Sequence, residues 1–160
     1  MKRICLRIVL AIVLSLMCVV FDVSYVGCSG VTGSDVVMGR EFKIRYGQEL
    51  KVKGEDLKVK FASLLGDSRC PSNVTCIWEG DALVQIDMKR TNATESQIEL
   101  HTNSRLGGAL EGKYQQYVIK LVALDPYPRT DVERKGSDYV ATLLVTKEQE
   151  AAQRSNKPLH

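Results

Sequence analysis

Aromatic side chains make up only 6% of the chain, tryptophan occurs once and histidine twice. Glycine and proline contribute only 12 and 4 of the 160 residues, too few for a collagen-like or low-complexity chain. The 44% hydrophobic content is too high for general disorder, and the length suits one modest domain with extras. An excess of one charge is also missing: 22 Lys and Arg face 19 Asp and Glu, for a formal net charge of +3. So even a balance supplies no basic stripe to neutralise phosphates, which argues against a nucleic acid partner. Nor does any apolar run reach the roughly 20 residues that a spanning helix needs.

What is present begins with an address. Lys2, Arg3 and Arg7 precede an apolar run from Ile8 to Phe21, which Asp22 interrupts. A basic flank followed by a short apolar run is the pattern of a secretory signal peptide, here residues 1–27. The next residues, Ser24-Tyr25-Val26-Gly27-Cys28-Ser29, resemble a bacterial lipobox, with a small Gly27 before the cysteine that would carry lipid. Tyr25 stands where lipoboxes usually have leucine. The resemblance implies attachment to a membrane through acyl chains on Cys28, each buried CH₂ being worth about 0.8 kcal/mol. Ser29 after that cysteine implies sorting to the outer membrane, facing the periplasm, if the cell is Gram-negative.

The cysteine count fits the same route. Cys5 and Cys18 would leave with the signal peptide and Cys28 would be acylated, so Cys70 and Cys76 remain as an even pair. In an oxidising compartment they can close a small loop, with Pro71 and Asn73 between them supplying turn chemistry. Loop-closure entropy gives so short a bridge roughly 2 kcal/mol. The competing reading is a metal pair. Zinc would need two further ligands, and only His101 and His160 are on offer as imidazoles. No metal and no cofactor is therefore expected.

Residues 28–40, with Gly30, Gly33 and Gly39 among Ser and Thr, read as a flexible tether. Beyond it, apolar residues alternate with polar ones in successive segments. Phe42, Ile44 and Tyr46 are followed by Leu50 and Val52, then by Leu57, Val59 and Phe61. Ala82, Val84, Ile86 and Met88 come next, then Ile98 and Leu100, then Tyr117, Ile119, Leu121 and Ala123, and last Tyr139, Ala141, Leu143 and Val145. Period two marks half-buried strands. About seven of them, separated by turn signals at Gly47, Gly54, Asn92 and Gly107-Gly108, predict an all-β fold: an antiparallel β-sandwich over residues 41–146. Residues 147–160 form a polar C-terminal tail. No internal repeat is present.

The most distinctive stretch is Asp67-Ser68-Arg69-Cys70-Pro71, then Val74 and Cys76-Ile77-Trp78-Glu79-Gly80-Asp81-Ala82. It resembles a family of small exported bacterial proteins and lipoproteins with a DSRCP…V.C.W.G.A segment between two strands. That family also carries a leucine-rich strand ending in P.P, represented here by Leu121 to Leu124 and Asp125-Pro126-Tyr127-Pro128. Glu79 departs from the small residue common at its place. The resemblance covers roughly residues 42–146 and implies a β-rich exported domain with no established activity.

Asp67 can accept backbone N–H bonds or pair with Arg69, the disulfide would restrain the loop, and Trp78 offers a large apolar plate. Two roles compete for the segment. In one, Asp67 and Arg69 satisfy buried backbone groups while Trp78 plugs one end of the sandwich. In the other, Asp67, Arg69, Trp78, Glu79 and Asp81 belong to a presented loop that binds an envelope protein or glycan. No catalytic constellation stands out: His101 lacks a nucleophile pattern such as G-x-S-x-G, and Glu79 and Asp81 flank a glycine in a turn. The sequons at Asn73 and Asn92 would matter only in a eukaryotic secretory route. The expected function is thus a non-enzymatic, lipid-anchored envelope protein that binds or modulates another exported component. A small carboxylate-dependent hydrolase using Asp67, Glu79 or Asp81, and a protease inhibitor inserting the closed loop, are the alternatives.

Overall fold

Alternation in the sequence becomes two sheets that share one apolar interior. The computed structural model describes residues 35–150; the signal segment, Cys28 and the last ten residues lie outside that range. The strands are β1 (Glu41–Arg45), β2 (Glu49–Lys51), β3 (Lys58–Asp67), β4 (Ala82–Lys89), β5 (Ser96–His101), β6 (Glu111–Tyr114), β7 (Tyr117–Asp125) and β8 (Val140–Lys147). One sheet runs β1-β8-β7-β6 and the other β2-β3-β4-β5, with every pair antiparallel. This is an all-β sandwich.

The inward faces are those the alternation marks. Ile44, Val59, Phe61, Val84, Ile86, Met88, Leu100, Ile119, Ala141 and Leu143 have no exposed surface and form one cluster drawn from both sheets. In β7 the expected face breaks partway. A register shift between Leu121 and Ala123 inserts an extra residue, so Leu124 rather than Ala123 turns into the core.

Eight strands form where about seven were expected, and β6 is the addition. It is only four residues long, and Tyr114 is its one buried side chain. Its inward position at Gly112 carries no side chain because Ile98 fills the space: a Cβ there would lie 2.3 Å from Ile98 Cγ2. The tether boundary also moves. Val36, assigned to the flexible segment, is 8% exposed and bridges in parallel to Val52. Its N–H donates to Lys51 O at 2.9 Å and its carbonyl accepts from Lys53 N at 2.8 Å. Gly39 N donates to Val145 O at 2.8 Å, so the domain starts near residue 35. The glycine and serine content hid one apolar residue that β2 needed as a neighbour.

The sheets are tied at both ends by polar side chains. At the end where Val36 enters, Glu55 in the β2–β3 turn accepts from Tyr117 Oη at 2.8 Å and pairs with Lys147 Nζ at 2.8 Å. These partners hold the Glu55 carboxyl below its ordinary pKa, Lys147 first and Tyr117 next. The opposite end gathers the β3–β4, β5–β6 and β7–β8 connections.

Truncating Val36 tests the revised boundary. Val36→Ala is expected to lower unfolding free energy by about 1 to 2 kcal/mol, the loss of two buried carbon groups. Urea denaturation reads it, and an unchanged midpoint would return residues 35–40 to the tether.

Candidate functional site

The loop from Ser68 to Asp81 is one of the two long connections between paired strands of one sheet, the other being that between β7 and β8, and its base is an extension of the ladder. Ser68 N donates to Asp81 O at 2.7 Å and Cys70 N to Glu79 O at 2.9 Å, continuing the β3–β4 pairing beyond the strands. Gly80 makes this approach possible. Its φ is +70°, and a Cβ there would lie 1.9 Å from Ser68 O, so any side chain would push the two arms apart.

Beneath the loop sits a buried ion pair. Arg69 is 4% exposed, and its Nε and Nη2 donate to Asp67 Oδ1 and Oδ2, each at 2.8 Å, in a bidentate fork. The remaining donors cross to the other sheet. Nη1 donates to Leu124 O at 2.5 Å and Nη2 to Pro126 O at 3.0 Å, both past the point where β6 stops pairing with β7. Tyr127 lies over the guanidinium at 4.5 Å, and Tyr139 Oη donates to Asp67 Oδ2 at 3.0 Å. Burial works against the Asp67 carboxylate, but the Arg69 fork and the Tyr139 hydroxyl outweigh it and hold the group below its ordinary pKa.

Asp81 anchors the neighbouring connection. Its Oδ1 accepts from Thr102 N at 3.0 Å, Thr102 Oγ1 at 2.9 Å and Asn103 N at 3.0 Å. Its Oδ2 lies 2.5 Å from His101 Nδ1, and because an ionised carboxylate only accepts, that nitrogen carries the proton. Burial again opposes the charge, and His101, Thr102 and Asn103 override it, lowering the pKa.

The tip is closed by the Cys70–Cys76 disulfide. It docks sideways on the β7–β8 connection: Ser72 N donates to Pro128 O at 2.9 Å, Asn73 Nδ2 to Thr130 Oγ1 at 2.7 Å, and Thr130 N to Asn73 Oδ1 at 3.1 Å. The large apolar side chains of the tip stay in solvent. Ile77 is 94% exposed and Trp78 75%, with Val74 beside them half in solvent. A plug role for Trp78 is therefore corrected, because Arg69, Leu124 and Tyr139 already close that end of the sandwich.

The five residues picked out in the sequence thus part company. Asp67 and Arg69 are spent on internal bonds, Asp81 on the β5–β6 connection, and Glu79 on an exposed pair with Arg105 at 3.1 Å. Each carboxylate has its own partners: Asp67 has Arg69, Glu79 has Arg105, and Asp81 has His101, Thr102 and Asn103. Trp78, and Ile77 beside it, are the large groups left facing solvent. Sequence reasoning passed over Ile77, Thr102, Asn103, Tyr127 and Thr130. The Asp81 contacts were within reach, since Leu83 pairs with His101 and counting outward sets Asp81 opposite Asn103.

A depression of about 190 Å³ lined by Arg69, Thr102, Leu124, Asp125 and Tyr127 lies nearby. It is smaller than the roughly 300 to 1,000 Å³ usual for small-molecule sites. Among the described residues, no group of three His, Cys, Asp or Glu side chains is arranged to hold a metal ion. No family model, curated protein or solved structure matches the chain.

Two outcomes follow for the ion pair. Arg69→Ala is expected to cost about 3 to 5 kcal/mol by leaving Asp67 buried and unpaired. The Asp67→Ala/Arg69→Ala double variant should cost clearly less than the sum of the singles, and additive values in urea denaturation would mean the two do not interact. Because folding lowers the Asp67 pKa, its contribution is complete above the unfolded value of about 4 and is lost as pH falls through the lower folded value. Asp67→Asn should accordingly flatten the loss of stability between about pH 5 and pH 1. Parallel curves for variant and wild type would contradict this.

Proposed function

We propose that the protein is a non-enzymatic, lipid-anchored envelope protein that binds another exported protein through Ile77 and Trp78. The observation carrying this reading is the contrast within one loop. Asp67, Arg69, Asn73 and Asp81 are committed to the scaffold, while two adjacent large apolar side chains, Ile77 and Trp78, project mostly into water. Scattered surface apolar residues need no explanation, but a rigidly based aliphatic and aromatic pair matches the anchors that dominate protein interfaces. A preorganised loop also avoids much of the ordering cost of binding. A glycan partner would be better served by an aromatic plate flanked by free polar groups, and here Ile77 extends the apolar surface on one side while Glu79 on the other is paired with Arg105.

The anchor half of the reading rests on the signal pattern, on Cys28 in its lipobox-like setting and on Ser29, which together favour the outer membrane and a periplasmic face. Resemblance to the DSRCP…V.C.W.G.A family of exported proteins supports the same address.

Mass spectrometry of membrane-extracted protein should find acylated Cys28; an unmodified, soluble mature chain would remove the anchor. In crosslinked capture from native envelopes, Ile77→Ala or Trp78→Ala should weaken binding of the captured protein about 30-fold or more, the scale of an interface hot spot. Both variants alter surface groups and should unfold like the wild type. An unchanged partner set would move binding to another surface, and retention on cell-wall glycan instead of protein would reassign the partner.

A further inference from the structure

The two arms of the closed loop are held very unequally. On the Pro71–Asn73 arm, Ser72 and Asn73 are bonded to Pro128 and Thr130. On the other arm, Thr75, Ile77 and Trp78 make no hydrogen bond among the described residues, and Val74 N donates within the loop, to Pro71 O. Between Val74 and the Glu79 carbonyl, the bond at Cys76 is thus the one covalent or hydrogen-bonded cross-tie of this arm among the described residues. The two cysteines differ as well: the Cys76 residue is exposed and the Cys70 residue half-buried. Meanwhile the base of the loop is fastened without the disulfide, by the Arg69 fork, by Ser68 N to Asp81 O and by Cys70 N to Glu79 O.

We propose that the Cys70–Cys76 bond is a redox latch, opened in the folded protein by the dithiol of an exported thiol–disulfide exchange protein, and that opening it ends the fixed presentation of Ile77 and Trp78. The inference rests on those two residues being the binding element. Exposed disulfides are the labile ones, and the accessible sulfur is attacked first. The incoming thiolate forms a bond to Cys76 Sγ as the Cys70–Cys76 bond breaks. Cys70 leaves as a thiolate and takes a proton from water, becoming a thiol within 3.7 Å of Pro71 O and 3.8 Å of Val74 O. The second thiol of the reductant then displaces Cys76. The products are two cysteine thiols here and one disulfide in the partner, a two-electron transfer.

Trp78 is the single tryptophan, so its fluorescence anisotropy reports on this arm alone. The full chain is treated with dithiothreitol in native buffer while thiol release, far-UV circular dichroism and anisotropy are followed. The expected result is a gain of two thiols per chain over the untreated protein, an unchanged β spectrum and a fall in Trp78 anisotropy toward that of a freely rotating side chain. The Cys70→Ser/Cys76→Ser variant should show the low anisotropy from the start and ignore the reductant. Thiol release only with loss of the β spectrum, or release without a change in anisotropy, would overturn the latch. Capture from envelopes separates this from the functional reading: a protein bound by the oxidised chain and shed on reduction supports both. A protein bound equally in both states overturns redox control alone. If the oxidised chain captures nothing, the binding role fails and control of binding fails with it, while anisotropy still decides whether the latch opens.

Discussion

The guanidinium of Arg69 is the point through which the two sheets communicate at the loop end of the sandwich. Four of its N–H donors are used: two on Asp67 in β3, and one each on the carbonyls of Leu124 and Pro126 at the end of β7. Net stabilisation from such a pair is small, because desolvation offsets most of the attraction, but losing either partner is costly. Its structural effect is larger than its net energy. The planar fork fixes where β3 ends, where the backbone after β7 runs and where the Ser68–Asp81 loop leaves the sheet, and no aliphatic side chain of that size would specify all three. Lysine, a point charge without the fork, is no substitute.

On that base, the loop divides into a frozen part and a presented part. Gly80, the Asp81 contacts to Thr102 and Asn103, and the Asn73–Thr130 pair immobilise the flanks. Ile77 and Trp78 receive none of this support and stay 94% and 75% exposed. Folding alone gives no reason to keep two large apolar groups in water, and a binding role supplies one. The carboxylates of the site are already engaged, Asp67 by Arg69, Asp81 by His101, Thr102 and Asn103, and Glu79 by Arg105.

Much of the fold was legible because period-two alternation reports directly on which face is buried. It fails where the pleat is interrupted or the core is filled from elsewhere. The β7 bulge exchanged Ala123 for Leu124, and Gly112 in β6 left its inward position to Ile98. Val36 was hidden by its glycine-rich neighbours. The pairing of Asp67 with Arg69 and the bridge between Cys70 and Cys76 were also readable, being local in sequence. Tyr127, Thr130 and Tyr139 were not, since they reach the loop across more than fifty residues of chain. Trp78 shows the limit most plainly: residue type favours burial, and only the knowledge that Arg69, Leu124 and Tyr139 already fill the end of the sandwich reverses the expectation.

If the Arg69 fork governs the loop, weakening the fork should loosen the loop before it loosens the sheets. Native-state hydrogen exchange on wild type and Arg69→Lys compares these directly. The prediction is that the amides of Ser68, Cys70 and Ser72 lose protection in the variant, while those at the centres of β4 and β8 keep theirs. Equal protection of the loop amides in both proteins would contradict the account and assign the ordering of the loop to its disulfide and its contacts with Pro128 and Thr130.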